Sequence, residues 1–264
     1  MILNPRTDIL PDSQKKLWPL LTEVPKDFVL YGGTAVALRY GHRQSVDFDF
    51  FSSYNDSDVR NTIGQLDFIK QYAIDINNPE FISVSSGSQV IYKLQIPDYQ
   101  LVQVTFVRDS NFIKGTMEKP SLTTDNKIYI ASPIDLMATK INALKNRNSV
   151  KDYIDVSTMI KNGISFKRGI AVAIALNESK IYEEIEIFNR MLEGLREPEK
   201  YTEAYSQDIY ASDQLKTTLK EVMEIMVPEA EKVNLADIKY KITLRQNLSY
   251  KERIVEAEEY DYDR

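Results

Sequence analysis

The chain has 264 residues, 43% hydrophobic and 27% charged, with a formal net charge of −6; that is enough to bury one large core or two ordinary ones. It contains no cysteine and a single histidine, His42, which excludes disulfides and a thiol nucleophile and argues against zinc; oxygen ligands, and hence magnesium or manganese, are left as the metal chemistry. No apolar run reaches the ~18–20 residues of a membrane span and the N-terminus carries no secretory pattern, so a cytoplasmic protein without a membrane partner is expected.

In chain order, residues 13–22 predict a short helix interrupted near Pro19. DFVLYGG is an apolar run stopped by two glycines and predicts a strand. TAVALRY, opening on Thr34 as an N-cap, predicts a helix of two turns. SVDFDFFS returns to period-two alternation and predicts a second strand. DSDVRNTIGQL predicts a helix started by an Asp or Ser cap. FISVSS, QVIYKLQI and QLVQVTFV are β-rich, divided by the turns SGS and PDYQ, and KIYIAS is a last strand. From residue 132 onward the pattern is helical. Ser132 caps, Pro133 takes the first helical position and Asp135 completes a capping box. SVKDYIDVSTMIKNG repeats that grammar with Ser149, Asp152 and a Gly163 stop. Further helices are expected over about 166–177, 179–195, 204–226 and 230–250. Strands first and helices after give an α+β chain, divided into an α/β part over 1–126 and a helical part over 127–264. Charge follows the division: residues 127–168 carry eight Lys/Arg against three Asp/Glu, whereas 178–264 carry thirteen against twenty-one and end in EAEEYDYDR. A local basic stripe in an acidic chain suits a nucleotide or a nucleic-acid end, or is simply a solvated helix face.

The chemistry concentrates in VLYGGTAVALRYGHRQSVDFDFF. On a strand, Asp47 and Asp49 share a face while Phe48 and Phe50 enter the other. Two neighbouring carboxylates repel, and a divalent cation between them removes that cost. Upstream, Gly32 and Gly33 end a strand and lead into a helix. Free backbone N–H groups at such a helix start attract phosphate, which approaches closely where no Cβ intervenes. A glycine turn for a triphosphate beside an Asp-x-Asp for magnesium is equipment for attack on a nucleotide phosphorus.

This string resembles the signature of the AbiEii/AbiGii nucleotidyltransferase family, toxin components of bacterial abortive-infection and type IV toxin–antitoxin systems, within the polymerase-β-like superfamily. Thirteen residues separate Gly33 from Asp47, and Thr34, Arg39, Gly41, Arg43 and Ser45 fill the spacer as that family has them. KINALKNR supplies the family's Lys140, Leu144 and Arg147, and KDYID its Lys151, Asp152 and Asp155. The resemblance covers about residues 25–165. It implies a mixed sheet with flanking helices and a helical C-terminal part, magnesium (or manganese) held by Asp47 and Asp49, and an NTP bound by Gly32, Gly33, Thr34, Arg39, Arg43, Ser45, Arg147, Lys151 and Asp155. Lys140 and Asp152 join the aspartates as catalytic residues. An RNA end such as that of tRNA is the implied acceptor and an antitoxin the implied protein partner. The superfamily's third carboxylate falls on Thr105; Asp98 and Asp109, at either end of that strand, are the alternative acids.

Each assignment has a plainer counterpart. Gly32-Gly33 serves equally as a simple turn, Lys140 and Arg147 as solvated charges, Asp152 as the capping-box partner of Ser149, and Asp155 as an i,i+4 partner of Lys151. His42 reads as a surface or nucleotide-stacking side chain and Ser45 and Arg43 as braces for the aspartate strand. At the level of function, the alternatives are a nucleotide-binding homologue without turnover and a transferase acting on a small hydroxylated compound.

Overall fold

The computed structural model describes residues 1–52, 59–74, 89–108, 118–146, 149–175, 186–189, 191–192 and 213–235. Its strands are β1 (Ile2–Leu3), β2 (Val29–Tyr31), β3 (Asp47–Ser52), β4 (Gln89–Leu94), β5 (Val102–Arg108), β6 (Ser121–Thr123) and β7 (Tyr129–Ile130). The helices are α1 (Asp12–Leu17), α2 (Gly32–Tyr40), α3 (Val59–Ile63), α4 (Asp67–Tyr72), α5 (Pro133–Asn146), α6 (Val150–Lys161), α7 (Phe166–Ala175) and α8 (Asp213–Glu231). Among the described residues the strands form one mixed sheet in the order β1-β6-β7-β2-β3-β5-β4. β3 runs antiparallel to β2 and parallel to β5, so the aspartate strand lies well inside the sheet.

Alternation along β3 sets the two sides of this sheet. Phe48, Phe50 and Ser52 are fully buried, while Asp47, Asp49 and Phe51 are half-buried. On the buried side Phe50 stacks on Phe106 of β5 at 5.3 Å between ring centroids, and Phe28 meets Phe106 edge-on at 5.4 Å. Trp18 reaches Phe48 at 6.1 Å from the 3-10 turn Trp18–Glu23 that follows α1. Such aromatic packing fixes the strand from behind, and large rings supply most of the apolar area it buries.

The helical half docks on the sheet through α2. This helix packs against β3 on one side and against α5 and α6 on the other, while α7 lies on α5 and α8 on α6. The expected capping box opens α5: the Ser132 hydroxyl accepts from the Asp135 N–H at 3.1 Å and donates to its carboxylate at 2.6 Å. Gly163 ends α6 as expected.

The structure departs from expectation at several points. α2 begins at Gly32, with Tyr31 in the N-cap position, so Thr34 lies inside the helix and its hydroxyl donates to the Asp47 backbone carbonyl instead of capping. Ser149 stands at the N-cap of α6 without a side-chain bond, and Asp152 turns its carboxylate elsewhere. α8 runs through residue 226 to Glu231 with Pro228 in its last turn, where the sequence predicts a break. β1, β6 and α4 had no periodic signature, being two, three and six residues long, too short for a pattern to repeat. β7 belongs to the sheet although it falls beyond residue 126. FISVSS and its SGS turn, most of 179–195, the start of 204–226 and everything past 235, including the acidic tail, lie outside the described residues.

Phe50 is fully buried and stacks on the Phe106 ring. Phe50→Ala is expected to cost about 3–5 kcal/mol, read as a lower urea midpoint with an unchanged m-value.

Candidate active site

β3 projects Asp47 and Asp49 to the side opposite its phenylalanines. Burial pushes the Asp47 carboxyl up from its ordinary value, and the nearby Lys151 charge pulls it partly back. Lys151 itself is exposed on the first turn of α6. An anion that is costly to desolvate and flanked by a second carboxylate is one that a hard cation neutralises favourably. The donors are oxygens only, so the chemistry of the pair fits magnesium or manganese.

The glycine turn lies directly against these acids. Gly32 adopts φ +73°, and a Cβ there would meet Asp49 Oδ2 closer than any real contact allows. A Cβ on Gly33 would stand 2.5 Å from Arg43 Nη2 and 2.9 Å from Ser45 Oγ. Backbone, carboxylate, guanidinium and hydroxyl therefore converge within one small volume. Thr34 contributes only backbone to that surface: its side chain is buried and tied to the start of β3. Arg39 also plays a different part from the one expected. Its guanidinium donates to the carbonyls of Ile130 and Ala131 and to the Ser121 hydroxyl, bracing β6 and β7.

Behind the turn is a cluster of charges that the sequence scatters over more than a hundred positions. Asp155 is fully buried and accepts from Arg43 Nε and Nη2, each at 2.7 Å, in a bidentate pair. His42 Nε2 lies 2.7 Å from the same carboxylate, and Lys140 Nζ at 2.8 Å. Lys140 also donates to Asp152 Oδ1 at 2.8 Å. His42 Nε2 faces the acceptor-only carboxylate as a donor, and its Nδ1 is buried with no hydrogen-bond partner among the described residues. Burial raises the Asp155 carboxyl, but the hydrogen bonds from His42 and Arg43 and the charges of Lys140 and Arg43 outweigh it and hold the group well below the usual carboxylate range.

These contacts replace four of the plainer readings. Asp152 faces Lys140, not the cap of its own helix; Asp155 faces Arg43, His42 and Lys140, not Lys151; and His42 is buried with its side chain 9% exposed. Lys140 is likewise buried between two carboxylates, not solvated. Arg147 and Asp109 lie outside the described residues. Thr105 occupies the β5 position in register with Asp49 and is nearly buried. Asp98 sits in the turn before β5 with φ 67°, and among the described residues no group of three or more acids or histidines comes together to hold a metal.

Two expectations follow from this geometry. Gly32→Ala places a side chain into both a left-handed backbone and the Asp49 carboxylate, and should lower stability by about 1–2 kcal/mol while displacing Asp49; thermal unfolding and a crystal structure would report the two effects. Asp155 has a depressed folded pKa, so its contribution to stability is complete above the unfolded value of about 3.9 and disappears as pH falls below it. Asp155→Ala, which strands Arg43 and Lys140, is expected to cost about 3–5 kcal/mol at neutral pH and to flatten the loss of stability below about pH 4 in urea titrations.

Comparison with known proteins places the chain in a family. A family model described as nucleotidyl transferase AbiEii toxin, type IV TA system, matches residues 21–224. An uncharacterized protein of Aquifex aeolicus is 28% identical over 146 residues, a match spanning 53% of this chain and 62% of that one, so the chain aligns with less than two thirds of that relative. MenT4, a nucleotidyltransferase toxin of Mycobacterium tuberculosis, superposes with a TM-score of 0.55 at 12% identity, covering 93% of this chain and 89% of its own; at that identity the likeness is one of fold. The family match takes in the glycine turn, the paired aspartates and both charge-bearing helices, and the chain belongs to the AbiEii family of nucleotidyl transferase toxins.

Proposed function

We propose that the protein is a magnesium-dependent nucleotidyltransferase that moves a nucleoside monophosphate from an NTP to an acceptor hydroxyl, with an RNA end such as that of tRNA as acceptor and a cognate antitoxin as protein partner. The observation that carries this reading is the space beside Gly32, where a Cβ would strike the Asp49 carboxylate, which sets a phosphate-type turn next to a pair of half-buried carboxylates. An acceptor oxygen attacks the α-phosphorus, its bond forms as the bond to the β-phosphate oxygen breaks, pyrophosphate leaves and the hydroxyl proton passes to solvent.

Each residue has a role in that step. Asp47 and Asp49 would hold the cation, which would supply Lewis-acid polarisation of the phosphate oxygens. Backbone N–H groups from Gly32 to Thr34 point the positive end of α2 at the phosphate chain. Lys151, exposed and close enough to act on Asp47, adds a mobile positive charge for the triphosphate, and Arg43 and Ser45 border the same turn. Lys140 and Asp152 underlie the site as a buried ion pair and preorganise it, the arrangement that electrostatic catalysis requires.

Transfer of labelled nucleotide from each NTP into total RNA tests the proposal. Losing a metal carboxylate removes several kcal/mol of transition-state stabilisation, so Asp47→Asn and Asp49→Asn should each lower transfer by about 100-fold or more, and EDTA should abolish it. Variants that transfer as well as wild type sink the assignment.

A second reading rests on Thr105, which stands beside Asp49 where the superfamily's third acid is expected and is unable to act as an anionic ligand or a base near neutral pH. A protein that binds NTP without turning it over would show NTP-dependent thermal stabilisation and no labelled product with any acceptor.

A further inference from the structure

Resting on the Gly32–Gly33 turn as the phosphate site, we propose that Asp155 is a positioning residue: it acts on the bound nucleotide only through Arg43 and touches neither nucleotide nor metal. Its carboxylate has no exposed surface. Oδ1 is taken by His42 Nε2 and Arg43 Nε, and Oδ2 by Arg43 Nη2 and Lys140 Nζ. Four partners match the roughly four lone-pair directions of a carboxylate. Nothing is left with which to ligate a cation.

Arg43 is in the opposite state. A guanidinium carries five N–H donors in a rigid plane. Here Nε and one Nη2 hydrogen go to Asp155, and one Nη1 hydrogen goes to the Gln44 carbonyl at 2.8 Å. Two N–H bonds have no partner among the described residues, and the side chain is 15% exposed. Nη2 is also the atom that a Cβ on Gly33 would strike. The bidentate grip of Asp155 therefore fixes the plane of a guanidinium whose spare donors border the turn. Planar donors in that state recognise phosphate oxygens well. Asp155 comes from α6 and Arg43 from the loop after α2, so the helical half sets the aim of a phosphate ligand in the sheet half.

A double-mutant cycle decides the matter, read as the dissociation constant for magnesium tripolyphosphate by titration calorimetry. This probe carries the phosphate chain without a base or an acceptor. Arg43→Gln and Asp155→Asn should each weaken binding about 10-fold, and the double variant should be no weaker than Arg43→Gln alone. A purely structural role would lower the binding stoichiometry and melting temperature and leave the dissociation constant in place. Arg43→Lys keeps the charge but loses the fork; it should also bind about 10-fold more weakly, and it tests the idea with Asp155 intact should Asp155→Asn fail to fold. A double variant near 100-fold weaker, an Asp155→Asn protein with the wild-type constant, or an Arg43→Lys protein that binds normally would each overturn the assignment while leaving the transferase reading intact. Wild-type protein that neither binds the probe nor transfers nucleotide would remove both.

Discussion

A fully buried carboxylate on α6 has to be answered, and that requirement organises this molecule. An isolated ion in such a place is unaffordable in free-energy terms, so Asp155 must collect donors wherever the chain can bring them. It finds them in His42 and Arg43, from the loop between α2 and β3, and in Lys140 on the neighbouring helix. Meeting that demand fixes the docking of α6 on α2. It also orients the loop that leads into the aspartate strand, and through Arg43 it sets the floor beneath Gly33. The helical half is therefore part of the site's construction and not an appended module.

The glycines have two duties that are separable in physical terms. Gly33 leaves room for Arg43 and Ser45, while Gly32 supplies a left-handed backbone beside Asp49. The usual account of such a turn is that phosphate needs close access to N–H groups. In this protein the same missing side chains also let the carboxylate and the guanidinium approach the backbone. Access for the ligand and packing of the acids are one constraint, met by the same two residues.

Much of this was legible in the sequence because it is local. Period-two alternation in VDFDFF gave the strand, its buried side and the shared face of Asp47 and Asp49, and Ser132 with Asp135 announced the start of α5. Thr105 stands in register with Asp49 on the neighbouring strand. What escaped was non-local or very short. Capping grammar accounts for Asp152 and helical spacing for Asp155, yet Lys140 takes both carboxylates and residues 42 and 43 take Asp155 as well. Local rules assign a partner within a turn or two; a buried charge takes the strongest donor available in space. Arg39 lies in the motif string of the expected phosphate ligands, but the Ser121 hydroxyl and the carbonyls of Ile130 and Ala131 hold its guanidinium. The only warning was the run GHR itself, three residues that place an imidazole and a guanidinium side by side.

The order of strands in the sheet has a consequence for the chain as it is made. β1 pairs with β6, and β2 with β7, so strands at the beginning of the sequence wait for partners from residues 121–130. Asp47 and Asp49 emerge from the ribosome early, next to a glycine turn that is already complete in sequence. Their surroundings are not complete until α6 has been synthesised and Asp155 has captured Arg43. Contacts of such long sequence separation form late, so a truncated chain holds Arg43 and His42 without the carboxylate that orients them. The buried charge cluster is thus completed only once more than half of the chain exists.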